Sequence, residues 1–190
     1  MKQDASKFLS EAAFWAIIER SLDGTNSVDL HTNRQEQLLE TELCALSREE
    51  FLGFIFHFNS FFAKAYRHDL WAVAYIVMGG CSDDCFMDFR KWLVTRGKET
   101  YEAALSDTDS LCHEFYKIPD GDMPLWEYYV GILFDSRFGT DSLEIEADRI
   151  ELSPPQELTD IENKWDCKNV DSLRRICPEV YAAWWENDRF

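Results

Sequence analysis

No apolar run in this 190-residue chain exceeds nine residues. That run, residues 70–78, is about half of what a membrane-spanning helix needs. Glycine is scarce, at eight residues, and none of it builds a phosphate-cradling loop, so a nucleotide-binding βαβ unit has little support. A Gly-x-Ser-x-Gly elbow, a His-Glu-x-x-His helix, a Cys-x-x-Cys pair and a His-x-x-x-His pair are all missing. Basic residues are few as well: 19 Lys plus Arg stand against 36 Asp plus Glu, a formal net charge of −17. Such a chain repels nucleic-acid phosphates and anionic lipid, so its expected partner is a basic or neutral protein, not nucleic acid or a membrane. The same charge also keeps an aromatic-rich protein soluble. No export signal is expected. The apolar stretch 12–18 is short, follows Glu11 and runs into Glu19-Arg20 without a small-residue cleavage site. Cys44, Cys81, Cys85, Cys112, Cys167 and Cys177 are irregularly spaced, which fits reduced thiols in a cytoplasmic protein.

What the chain has in quantity is aromatic surface: 14 Phe, 7 Trp and 7 Tyr. Disordered segments lack such surface, and a chain of this length can bury roughly 70% of its unfolded area without disulfide or metal staples. Apolar spacing is helical through most of the first 140 residues. Phe8, Leu9, Ala12, Trp15, Ala16 and Ile18 outline a first helix stopped by Asp23-Gly24, and a polar loop follows at 25–33. Leu38, Leu39, Leu43 and Leu46 make a narrow stripe. Ser47-Arg48-Glu49-Glu50 reads as a capping box opening a long helix whose stripe runs Phe51, Phe54, Ile55, Phe58, Phe61, Phe62 and Tyr66. Arg67-His68-Asp69 marks a joint before the all-round apolar segment 70–78. Ser82 opens the next helix, which Gly97 closes, and Lys98 starts a short one containing Tyr101, Ala104 and Leu105. Pro124 is expected in the first turn of a helix that carries Trp126, Val130, Leu133 and Phe134 and ends at Gly139. Residues 141–162 hold eight acids and one base, with loose alternation at 142–152 that suits a short strand or extended arm. A closing helix spans 173–185, broken or restarted at Pro178. The fold class expected is all-α, an irregular bundle of about seven helices with an acidic, partly extended C-terminal segment. Its bundle core covers 1–140, and the arm and closing helix of 141–190 pack on the same domain.

Within residues 66–111 stands a pattern built on Asp69 and Trp71, the turn Gly79-Gly80-Cys81-Ser82-Asp83-Asp84, and Asp88, Arg90 and Trp92. Gly97-Lys98-Glu99 and Asp107-Thr108-Asp109-Ser110-Leu111 complete it. This stretch resembles a bacterial family known as domain of unknown function 4240. Phe14-Trp15 and the stretch 178–185 also look like that family, whereas the acidic segment 141–162 does not align with it. The resemblance implies a mainly helical domain and brings no catalytic residues and no cofactor with it.

The conspicuous side chains each admit a structural and a functional reading. Asp83 and Asp84 follow Ser82, so they either meet the positive end of a helix or, with Asp88, hold a divalent cation for hydrolysis. Arg67, Asp69 and Arg90 suit a buried ion-pair network between the central helices. Cys81, beside a helix start, could be a thiolate nucleophile, although buried inert thiols fit all six cysteines. His57, among phenylalanines, fits a satisfied histidine at the core edge. Adjacent helical residues point about 100° apart, so of Trp184 and Trp185 one ring should pack and one should face a partner. Glu144, Glu146, Asp148 and Glu151 would steer that partner. The expectation for function is a non-catalytic interaction protein, in its sharpest form an acidic immunity protein or antitoxin that neutralises a basic toxin. The alternative is a metal-assisted hydrolase using Asp83, Asp84 and Asp88.

Overall fold

Ser47 and Glu50 form the reciprocal box that the sequence announces. The Glu50 amide donates to Ser47 Oγ at 3.3 Å, and the Ser47 amide donates to Glu50 Oε2 at 2.8 Å. The computed structural model describes residues 8–22, 34–118, 123–126, 130–139, 165–187 and 189. Among these the architecture is all-α, and the one β contact is an isolated bridge between Asp166 and Asn169. The helices are α1 (Glu11–Leu22), α2 (Arg34–Cys44), α3 (Arg48–Lys64), α4 (His68–Val77), α5 (Asp83–Val94) and α6 (Lys98–Ser106). A 3₁₀ turn (Thr108–Leu111) leads into α7 (Cys112–Phe115), followed by α8 (Val130–Phe138) and α9 (Val170–Ile176). The closing helix begins as Pro178–Val180 and widens into a π-helical stretch, Tyr181–Trp185. No helix among the described residues is long and apolar enough to cross a membrane.

The core is aromatic and is centred on α3. Phe14 of α1 lies 4.9 Å from Phe54, and Trp15 lies 4.5 Å from Phe61. On the other side Phe89, Trp92 and Phe115 form a second group. Full burial of a ring such as Phe14, Phe51 or Phe89 is worth roughly 1.5–3 kcal/mol relative to exposure. Leu173, Val180 and Trp184 belong to the same contiguous core as α1 and α3. α4 buries Leu70, Ala72, Val73, Ala74, Ile76 and Val77, while Trp71 and Tyr75 on its remaining face are only half-buried, so the burial expected from its all-round apolar sequence holds on all sides but that one.

Three local expectations are corrected. Phe8 and Leu9 are not helical: Ser10 Oγ accepts from the Ala13 amide at 3.2 Å, and α1 starts at Glu11. The lead-in strand of chain crosses α3 at Gly53, where a Cβ would stand 2.5 Å from the Leu9 nitrogen. Gly97 does not close α5, whose cap is Thr95; it precedes α6 at φ +89°, and a Cβ there would meet the Glu19 carboxylate at 2.6 Å. Pro124 is not in a helical turn. The Trp126 amide donates to the Asp88 carbonyl on α5 at 3.2 Å, so this stretch is tied sideways, and the described helix begins at Val130. The closing segment is broken as expected, with Cys177 between α9 and the restart at Pro178. The expected loop at 25–33 and the expected arm at 142–152 lie outside the described residues.

Candidate functional site

The signature residues fold into α4, the turn after it, α5 and the 3₁₀ segment. Asp69 stands in the first turn of α4 and receives a fork from Arg67: Nε to Oδ1 at 3.0 Å and Nη2 to Oδ2 at 2.5 Å. The third donor of that guanidinium, Nη1, reaches the Leu105 carbonyl at the end of α6, 2.6 Å away. The pair therefore ties the start of one helix to the end of another. Arg90 does not extend this network. Buried to 1% exposure, it donates Nη1 to the Phe62 carbonyl at 3.2 Å and lies over the rings of Phe62, Tyr66 and Phe86. An aromatic box and a helix-end carbonyl surround it, and it makes no pair with Asp69. Trp92 is fully buried beside Phe89 and Phe115.

The turn between α4 and α5 needs its glycines, because Gly79 and Gly80 sit at φ +63° and +143°. Ser82 caps α5 through its Oγ, which accepts from the Cys85 amide at 3.3 Å. Asp83 and Asp84 are exposed in the first turn, where a carboxylate is stabilised by roughly 0.3–1 kcal/mol. Asp88 is engaged by Lys91 at 2.8 Å. No three His, Cys, Asp or Glu side chains among the described residues gather so as to hold a metal ion. The Cys81 thiol is no activated nucleophile: burial, reinforced by the neighbouring Cys85, pushes it up to about 12. His57 bonds the Leu9 carbonyl through Nε2 at 3.0 Å, a satisfied histidine at the core edge.

Asp109 turns out to be a capping residue for a helix 70 positions away. Its Oδ2 and Oδ1 accept from the amides of Glu179 and Val180 at 3.0 and 3.1 Å, at the start of the closing helix. Cys177, at the N-cap position, supplies no side-chain bond there. Burial raises the Asp109 carboxyl above its ordinary range in spite of these two bonds. The same device recurs elsewhere. Glu19 accepts from the Lys98 amide, Gln35 donates to the Thr95 carbonyl, and Arg137 donates to the carbonyls of Leu43 and Leu46. Four helix ends, at the starts of α6 and the closing helix and the ends of α2 and α5, are thus bonded by side chains from elsewhere in the fold.

Trp184 is buried, 5.7 Å from Phe115 and 4.7 Å from Tyr116, with Arg189 over its ring. Trp185 is half-buried on the other side, stacked 6.1 Å from Tyr75. Around it gather Trp71 of α4 and Trp165, both half-buried. Tyr75 and Trp165 were not among the residues singled out from sequence. The spacing of Trp71 and Tyr75, four apart on one helix, was the available signal. Glu144, Glu146, Asp148 and Glu151 lie outside the described residues.

A family model described as "Protein of unknown function (DUF4240)" matches residues 9–135. The chain belongs to that family. No curated protein and no solved structure matches it. Within the family span, Asp69, Arg90 and Asp109 serve as links between helices, and the match ends before both the acidic segment and the stretch 178–185. The half-exposed aromatic face therefore combines family residues, Trp71 and Tyr75, with Trp165 and Trp185 from beyond the matched span.

Proposed function

We propose that the protein is a non-catalytic interaction protein whose acidic surface binds and neutralises a basic protein partner, in the manner of an immunity protein or antitoxin. The observation that carries this reading is how its bases are used. Arg20 pairs with Glu42, Arg67 with Asp69, Lys91 with Asp88, Lys117 with Glu114 and Arg174 with Glu186. Arg90, Arg96 and Arg137 are turned onto aromatic rings and onto carbonyl or side-chain oxygens inside the fold. With these eight of the 19 bases engaged within the chain, a partner meets the field of a molecule with a net charge of −17. Such a field speeds encounter with a basic surface and disfavours nucleic acid and anionic lipid. Six unpaired cysteines suit a cytoplasmic setting. The hydrolase alternative gains nothing from the geometry, since Asp83 and Asp84 face outward at a helix start and Asp88 is held by Lys91.

The test is capture from extract of the native cell at low salt, elution with a salt gradient, and identification by mass spectrometry. A basic protein should elute, and its association rate should fall steeply with salt because such attraction is screened within roughly 8 Å at physiological ionic strength. Neutralising Glu144, Glu146, Asp148 and Glu151 together should slow association more than it speeds dissociation. A partner that is acidic, or whose association rate ignores both salt and these four changes, would refute the reading.

A further inference from the structure

No further inference is drawn: the strongest candidate, the half-buried aromatic face of Trp71, Tyr75, Trp165 and Trp185 beside α4, has the Trp71 ring already stacked on Phe86, and nothing in the structure shows what covers the rest of it.

Discussion

Replacing Asp109 by Ala should be among the most damaging single changes in the chain that touch no core aromatic ring. The carboxylate is 8% exposed and accepts two backbone N–H groups, from Glu179 and Val180, at 3.0 and 3.1 Å. Hydrogen bonds to a charged group contribute about 1.5–3 kcal/mol each, and removal of the acceptor leaves two donors orphaned at the start of the closing helix. Part of that loss is offset, because burying the carboxylate is itself unfavourable; its raised proton affinity records this. The net expectation is a loss of about 2–4 kcal/mol. In a chain of this size each kcal/mol moves the melting temperature by roughly 2–4 °C, so Tm should fall by about 4–16 °C. Asp109→Asn keeps one acceptor and should lie between wild type and Ala. The pH dependence has a definite sign. Asp109 binds its proton more tightly in the folded chain than in the unfolded one, so its contribution to stability is greatest below the ordinary carboxylate range and declines as pH rises through the raised value. Asn at 109 should remove that component from the profile. Urea unfolding of the three proteins between pH 3 and about 7 measures both effects, since the window brackets ordinary carboxylate values. A loss under about 0.5 kcal/mol for Asp109→Ala would refute the capping argument.

Three further outcomes are expected. Gly53→Ala should lower Tm even though alanine is the better helix former by about 1 kcal/mol, because the new Cβ would meet the Leu9 backbone nitrogen at 2.5 Å; a rise in Tm would contradict the close crossing. In Ellman kinetics at mild alkaline pH, exposed Cys44 and Cys167 should react first, and Cys81, pushed to about 12, should lag with buried Cys112 and Cys177; mass mapping that finds Cys81 among the earliest labelled thiols would sink this. Changing Asp83 and Asp84 together to Asn should cost about 1 kcal/mol by calorimetry, the helix-end contribution alone. Stabilisation of the wild type by Mg²⁺, Mn²⁺ or Ca²⁺ that the double change abolishes would instead restore the metal reading.

What could be read from the sequence was what lies within one helical turn. The box at Ser47 and Glu50 and the cap at Ser82 are patterns of period three, and each stands in the structure where its residues predict, whereas the all-round burial expected of 70–78 fails on the face of Trp71 and Tyr75. The partners of Arg67, Arg90 and Asp109 were not legible. Arg67 meets Leu105 across 38 positions, Arg90 meets Phe62 across 28, and Asp109 meets Glu179 across 70, separations that leave no periodic trace. Charged residues flanking apolar segments suggested that Arg67, Asp69 and Arg90 would neutralise one another. In the fold only the first two do so, because a helix-end carbonyl and an aromatic box are available to Arg90. Pro124 misled for a related reason: its position suits a helix start, but the Trp126 amide is claimed by α5. Of the candidate site, the tryptophan pair was visible as a pair, while the face it joins with Tyr75 and Trp165 depends on packing 90 residues apart.

The side chains that close helices at a distance also set an order of events for a chain emerging from a ribosome. The end of α2 at Leu43 waits for Arg137, 94 residues later, and the start of the closing helix finds its acceptor in Asp109, made 70 residues earlier. Until Val180 has been translated, Asp109 is a carboxylate held beside apolar neighbours with nothing to bind. The nascent protein therefore completes these contacts only after the last helices are made, and chains short of them should be less stable than the full fold. A stalled chain ending before residue 178 should be cut by protease faster than one carrying the closing helix.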